Sequence, residues 1–269
     1  MSTLRRSAVA IVLVAAIVGG VALAVHAIFK VGAGPLGESC TVGQYDIDTD
    51  QAATASTMVG VITTRGLPER AAVLTLAAGL QESKLTNIPA GDGDRDSVGV
   101  LQQRPSQGWG TVAQLSDLHY ATNAFLDALL KVPDWQTIPL AEAVQAVQRS
   151  ADGGAYAQHE PEAQALSDAL TGRDRAGITC TFPAPALVAT TAQVADQLSA
   201  DLPVNAPTTS ASTVVVAGAA WTTAAWFVAN ADRLGIDSVG YDGRKWSRTK
   251  GWQADTSASA ARVIATMHT

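Results

Sequence analysis

Basic residues are scarce in this sequence, and their scarcity argues against one class of function. The 269 residues include 18 Lys and Arg against 24 Asp and Glu, which gives a net charge of −6. Nucleic-acid binding therefore has no electrostatic support, because it depends on clustered positive charge. An acidic chain also gains no general attraction to anionic polymers, so a shaped site must hold any ligand of that kind.

Metal-binding patterns are equally sparse. The four histidines lack the spacing of metal ligands. Asp92, Asp94 and Asp96 alternate like the acids of a calcium loop, but Gln103 stands where an EF-hand needs a glutamate. We therefore predict no metal site.

Cysteine occurs only at Cys40 and Cys180, at the two ends of one long region. The two cysteines either form a disulfide in an oxidising compartment or remain as unrelated free thiols. Exposed free thiols are uncommon outside the cytosol, which favours the disulfide. In the chain-entropy model, closing so long a loop stabilises a fold by about 4–5 kcal/mol.

The N-terminus carries the longest apolar run, from Ala8 to Phe29. It is just long enough to span a bilayer, and Arg5 and Arg6 before it favour an extracytoplasmic location for the remainder. We predict a single-pass signal anchor within residues 1–30. Cleavage at Ala22-Leu23-Ala24 and secretion is the alternative, although the run exceeds a usual signal-peptide core.

The remaining chain divides by composition into three parts. Residues 40–182 alternate helical patterns with polar turns and predict no strands, with helices at 51–64, 69–85, 120–132, 140–148 and 161–170. Residues 183–212, rich in Pro, Ala and Thr, predict a linker with room for one short helix. Residues 213–269 predict a small α+β module. The predicted fold class is therefore mainly α.

Within the C-terminal module the patterns are more specific. Strands are expected at 213–217 and 262–267, a helix at 221–234, and a hairpin at 239–246 that turns at Asp242-Gly243. Four of the six tryptophans lie here among basic residues, which suggests a wall or protein partner. Alternatively, Trp226 and Trp246 fill the core of a small domain, which leaves Trp252 as the better binding candidate.

Glu82 is the strongest candidate for a catalytic group. It lies near the end of a strongly apolar helix, where partial burial and the helix C-terminus both favour a protonated carboxyl. An acid of that kind can protonate a leaving oxygen near neutral pH. The alternative is an ordinary solvated glutamate at a helix end.

The residues after Glu82 carry a family resemblance. Glu82-Ser83, Gly93-Asp94-Arg95 and Gly99-Val100-Leu101-Gln102 follow one another in order. This order resembles the active-site signature of goose-type lysozymes and soluble lytic transglycosylases. It is similar in particular to exported, actinobacterial-type lysozyme-like proteins with a single anchor.

The resemblance implies an α-helical lysozyme-like domain that cleaves peptidoglycan glycan strands without a cofactor. Glu82 would be the general acid and base, acting between N-acetylmuramic acid and N-acetylglucosamine. Asp94 would face Glu82 and place a water molecule. The family carries a further aspartate soon afterwards, where this chain has Gln103-Arg104-Pro105. With one carboxylate beside Glu82, anhydro-ring formation is favoured over hydrolysis.

Several further residues would contact the glycan strand. The resemblance assigns this role to Ser83, Gly99, Gln102 and Gln103. Trp109, between glycines, is either a platform for a sugar face or a local core residue. The family has a tyrosine against its catalytic acid in an Ala-Tyr-Asn-Ala-Gly segment, which is missing here, and Tyr156 is the candidate replacement.

A second function remains open beside the enzyme. The missing tyrosine segment and the missing aspartate also fit a non-catalytic wall-binding or assembly protein that keeps a lysozyme-like groove. The two hypotheses differ in one respect: only an enzyme should lose its activity when Glu82 loses its proton.

Overall fold

The computed structural model of the protein describes residues 37–150, 153–185, 188–218 and 220–269. These residues form helices and strands in mixed order, with two short 3-10 segments at Pro105–Gln107 and Gly153–His159. In chain order the elements are β1 Ser39–Val42, β2 Tyr45–Ile47, α1 Thr49–Thr64, α2 Glu69–Ser83, α3 Val112–Leu115, α4 Leu118–Leu129, α5 Leu140–Gln148, α6 Glu160–Leu170, β3 Ile178–Thr181, α7 Thr191–Asp201, β4 Thr208–Thr209, β5 Thr213–Ala217, α8 Trp221–Ala229, α9 Ala231–Leu234, β6 Ile236–Tyr241, β7 Arg244–Ser247, β8 Gly251–Ala254 and β9 Arg262–Met267.

The predicted mainly-α fold class is wrong. The C-terminal half contains a six-stranded antiparallel sheet in the order β4-β5-β9-β6-β7-β8. A second sheet, in the order β2-β1-β3, lies within the region for which no strands were predicted. Its strands have three or four residues each, too few to show alternation. Moreover, β1 pairs with β3 across a separation that no local pattern reveals.

The individual helices and the C-terminal strands were predicted more successfully. All five helices expected in residues 40–182 are present within a few residues of their expected bounds. In the C-terminal half, the strands 213–217 and 262–267 are confirmed, as is the hairpin that turns at Asp242-Gly243. The expected helix 221–234 is broken at Asn230 into α8 and α9 and ends at Gly235, which has φ +73°.

The predicted disulfide is confirmed. Cys40 and Cys180 are directly opposite each other on β1 and β3, with Cα atoms 3.9 Å apart, and both are buried. The bond therefore fastens the two ends of a chain segment that includes helices α1 to α6. It lies under the large sheet, because the indole of Trp246 donates a hydrogen bond to the carbonyl of Cys180.

Helix α2 lies at the centre of the helical region. Its residues 71–80 are all buried, and it packs against α1, α4, α5 and α6. The helix ends immediately after Ser83, because Lys84 adopts the left-handed conformation and its N–H bonds back to the carbonyl of Leu80. This C-terminal cap places Glu82 in the last turn, next to the loop that follows.

Four tryptophans of α8 and of the large sheet pack against the rest of the fold. Trp252 donates from its indole to the carbonyl of Ile178 at 2.9 Å, and its ring lies edge-on to Trp221 at 5.3 Å. Trp226 and Trp246 are almost fully buried. All of these indoles therefore contribute to internal packing, including Trp252, which the sequence suggested as a binding contact.

The compositional linker contains ordered elements. Helix α7 buries Val194 and Leu198 completely, and β4 pairs with β5. One hydrophobic cluster includes side chains of the helices, of α7 and of the large sheet. The division into residues 40–182, 183–212 and 213–269 stays a prediction.

The expected membrane anchor in residues 1–30 lies outside the described residues. Among the helices that are described, none combines the length and the apolar character that a bilayer crossing requires.

Candidate active site

Glu82 lies in the last turn of α2 and is partly buried. Burial raises the pKa of its carboxyl, since a charged group loses hydration there. Hydrogen bonds from Tyr156 and Gln148 favour the ionised form and offset part of this effect. The net result is a carboxyl whose pKa lies above its ordinary value, which is what a general acid requires.

Tyr156 reaches Glu82 from the 3-10 segment Gly153–His159. Its hydroxyl donates to Oε1 of Glu82 at 2.5 Å, and its ring is fully buried against the core. Burial, together with the neighbouring carboxyl, raises the pKa of the tyrosine well above its usual range. Tyr156 is therefore a permanent donor at neutral pH and fixes the position of one carboxyl oxygen.

Gln148 is a second partner of Glu82 that the sequence analysis missed. Its side chain hydrogen-bonds the Glu82 carboxyl, and its amide nitrogen also donates to the carbonyl of Leu101 at 2.9 Å. It is the last residue of α5, before Arg149 ends that helix in the left-handed conformation. Nothing in the residues around Gln148 marked it as a contact of Glu82.

The turn at Gly99-Val100-Leu101-Gln102 is held against α2. Its two ends are joined by paired backbone hydrogen bonds between Val98 and Gln103. Gly99 has φ +78°, and a Cβ atom there would lie 2.3 Å from the carbonyl oxygen of Leu115. Only glycine fits this position, because both the backbone conformation and the space exclude a side chain.

Ser83 anchors the same turn. Its side chain is buried, and its hydroxyl donates to the carbonyl of Val100 at 2.7 Å. Together, Ser83 and Gln148 bind the neighbouring carbonyls of Val100 and Leu101 from two different helices. The structure thus engages Ser83 inside the fold rather than at a surface that a ligand could reach.

The two glutamines at the end of the turn both donate to backbone carbonyls. Gln102 is half-buried and donates to the carbonyl of Gly99 at 2.9 Å, and its side chain packs against Gly93. Gln103 is 2% exposed and donates to the carbonyl of Ala121. The side chain of Gln103 therefore does not reach an open surface, whereas that of Gln102 is partly accessible.

Asp94 is exposed to solvent, and none of its hydrogen bonds or ion pairs within the described residues reaches Glu82. Its side chain is 86% exposed, and its carboxylate is 3.7 Å from the guanidinium of Arg95. The neighbouring Asp96 is instead the organising residue of this loop. It accepts from the backbone of Ser106 at 2.8 Å and from Arg104 at 2.6 Å, and hydrogen bonds from Ser106 and Arg104 hold its pKa far below the usual range.

A groove of about 830 Å³ adjoins this group of residues. Trp109, Lys131, Gln148 and Arg149 line it together with small apolar side chains. Gln148 belongs both to the groove and to the hydrogen bonds of Glu82, so the acid lies one side chain away from the open space. The backbone of Trp109 is positioned by Tyr120, whose hydroxyl donates to its carbonyl at 3.2 Å.

The arrangement can transfer a proton. A carboxyl whose pKa is raised by burial lies beside a groove with one indole surface and several hydrogen-bonding side chains. Of the residues predicted for the site, the structure brings together Glu82, Tyr156 and, through Gln148, Trp109. The role of Asp94 opposite Glu82 stays a prediction. The chain matches no protein-family model, and comparison with curated proteins gives no match either.

Proposed function

We propose that this protein cleaves the glycan strands of peptidoglycan, with Glu82 as the general acid. The observation that carries the proposal is the Glu82 carboxyl itself. It is partly buried, its pKa is raised, and Tyr156 and Gln148 hold it beside a groove large enough for sugar rings. The choice of peptidoglycan as the substrate rests on a sequence resemblance to goose-type lysozymes and lytic transglycosylases. The segments that carry this resemblance are Glu82-Ser83, Gly93-Asp94-Arg95 and Gly99-Val100-Leu101-Gln102.

The proposed reaction has two proton transfers. In the first, protonated Glu82 gives its proton to the glycosidic oxygen as the bond from that oxygen to C1 of the muramic sugar breaks. Positive charge develops on the sugar ring in this step. In the second, the Glu82 carboxylate takes the proton of the C6 hydroxyl while O6 bonds to C1. This closes an anhydro ring and regenerates the acid.

The anhydro route is favoured over hydrolysis by the position of Asp94. A hydrolase of this type needs a group that places a water molecule on the reacting sugar. Asp94 is solvent-exposed and paired with Arg95. An intramolecular hydroxyl needs no such group, because the substrate itself holds it close to C1.

The proposed location is outside the cytoplasm, on the membrane. The Cys40–Cys180 disulfide supports an oxidising compartment. The apolar run from Ala8 to Phe29 supports attachment to the membrane, with secretion after cleavage as the alternative. The glycan layer of the wall is then the accessible substrate.

A non-catalytic wall-binding or assembly protein is the second candidate. The exposure of Asp94 and the absence of Asp94, Gln102 and Gln103 from the residues that line the groove favour it, since the groove then has fewer contacts than the family signature implies. This protein would retain the groove and bind glycan strands without cleaving them.

Release of soluble fragments from purified peptidoglycan tests the proposal. The full-length protein in detergent, its Glu82→Gln variant and its Glu142→Gln variant should be compared. Glu142 is an exposed glutamate on α5 and serves as the matched control. Fragments from wild type and from Glu142→Gln, but not from Glu82→Gln, support the enzyme. Binding by all three proteins without fragments from any of them supports the second candidate.

A further inference from the structure

The groove beside Glu82 carries positive charge within an acidic protein. Lys131 and Arg149 are exposed on its lining, and no acidic side chain from the described part of the chain lies among the lining residues. The protein as a whole has a net charge of −6. The groove is therefore positively charged although the protein as a whole is negatively charged, and this positive charge favours an anionic ligand in the groove.

Neither cation has a carboxylate partner among the residues that the structure describes. Asp127, on the helix that precedes Lys131, is bound to Arg65 at 2.8 Å. Within the described residues, Lys131 and Arg149 form no ion pair with a carboxylate. Both charges are therefore available to a ligand.

The two cations are placed where a ligand near Glu82 would meet them. Arg149 directly follows Gln148, which contacts Glu82, and Lys131 lies in the turn after α4 on the same groove. Trp109 lines the same groove as both cations, so a sugar ring stacked on its indole would have its substituents in the space that the two cations line. The planar guanidinium of Arg149 matches a carboxylate with two parallel hydrogen bonds, and the ammonium of Lys131 adds a second charge.

We infer that Lys131 and Arg149 determine specificity by binding carboxylates carried on the substituents of the glycan strand. This inference rests on the proposed function and goes one step beyond it. It states that the groove selects strands with anionic substituents over neutral polymers of N-acetylglucosamine. The carboxylate comes either from the lactyl group of a peptide-free strand or from a stem peptide, and the two share one chemistry.

Binding measurements separate this inference from catalysis. The probes are peptide-bearing strands, strands freed of peptide by an amidase, and chitin oligosaccharides of matched length. Each is titrated into full-length Glu82→Gln protein, which prevents turnover, with and without Lys131→Gln/Arg149→Gln. The pair Lys250→Gln/Arg262→Gln, at two exposed cations away from the groove, is the matched control.

The expected result is a roughly tenfold weaker affinity for at least one anionic probe when the groove cations are removed. Chitin binding should be unchanged, and the control pair should have no effect. If only the affinity for the peptide-bearing strand falls, the carboxylate that is bound belongs to the stem peptide. If only the affinity for the peptide-free strand falls, it belongs to the lactyl group. Raised ionic strength should weaken the same interactions.

The inference would be overturned if the Glu82→Gln protein bound anionic and neutral probes with equal affinity. It would also be overturned if Lys131→Gln/Arg149→Gln weakened the binding of anionic and neutral probes equally. If either result is obtained while the wild-type protein still releases fragments, only the proposed preference for anionic strands is refuted. A charge preference without any fragment release refutes the catalytic proposal alone.

Discussion

The hydroxyl of Tyr156 donates a 2.5 Å hydrogen bond to Oε1 of Glu82. The two residues are 74 positions apart and belong to different elements, a 3-10 segment and the last turn of α2. A buried phenol that always carries its proton can stabilise a carboxylate, and it also orients a protonated carboxyl. The pair thus fixes where Glu82 presents its proton.

The Tyr156→Phe variant tests this relationship through pH. Tyr156 lowers the pKa of Glu82, so its removal should raise that pKa further. Because the general acid works only while protonated, the alkaline limb of the kcat/KM profile should move to higher pH. The optimum rate should fall roughly tenfold, as expected when a hydrogen bond to a charged group is lost. A reduced rate with an unmoved limb would show that Tyr156 has only a packing role.

Two glycines with similar backbone conformations should respond differently to alanine. Gly108 has φ +82° with no neighbouring atom in the way, whereas a Cβ at Gly99 would lie 2.3 Å from the carbonyl oxygen of Leu115. We expect Gly108→Ala to lower the free energy of unfolding by about 1–2 kcal/mol. Gly99→Ala should cost about 1–3 kcal/mol more, because the turn must move. The measurement is urea unfolding of both variants. An equal decrease in the free energy of unfolding would contradict the close approach between Gly99 and Leu115.

His119 should make stability depend on pH. Its Nε2 is 2.9 Å from the carboxylate of Asp201, which is fully buried, and this contact raises the pKa of His119. A raised histidine pKa contributes stability below the unfolded value of about 6.5 and loses it as pH rises through the folded value. The free energy of unfolding of wild type should therefore decline over this alkaline window.

The matched variants are His119→Gln and His159→Gln. The first should remove the alkaline decline. His159→Gln should preserve the decline. Burial lowers the pKa of His159, so this residue makes the free energy of unfolding rise with pH, and it does so at lower pH than His119 acts. An unchanged decline in His119→Gln would show that another group is responsible.

The disulfide should contribute strongly to stability. Cys40 and Cys180 are separated by 140 positions, and in the chain-entropy model such a closure is worth about 4–5 kcal/mol. The Cys40→Ser/Cys180→Ser variant should unfold at correspondingly lower urea concentration. Wild type under reducing conditions is the control and should behave like the double variant. Equal stability of all three samples would refute the prediction.

The local signals of the sequence were sufficient for the helices and for the place of Glu82 near the end of one of them. The apolar face of α2 is encoded within a few residues, so the position of Glu82 near the helix end could be predicted, although the helix ends at Ser83 rather than at residue 85. The strands β1 and β3 could not, because each is short and gains its stability only from a partner distant in sequence.

The partners of Glu82 show the same limit. Tyr156 was a candidate only through its resemblance to the family's tyrosine, and Gln148 gave no signal of its own. Both reach the acid because α5 and the 3-10 segment pack against α2, which is a tertiary relationship. Asp94 and Asp96 look alike in sequence, yet only Asp96 meets Arg104 and Ser106.

The most direct test of the central claim is the identity of the cleavage products in water labelled with ¹⁸O. Peptidoglycan treated with wild-type protein should give anhydro-muramyl ends without ¹⁸O, since the C6 hydroxyl is the nucleophile, and Glu82→Gln should give no ends. Reducing muramyl ends that carry ¹⁸O would show a hydrolase instead. New ends of either kind from the Glu82→Gln variant would contradict the assignment of Glu82 as the acid.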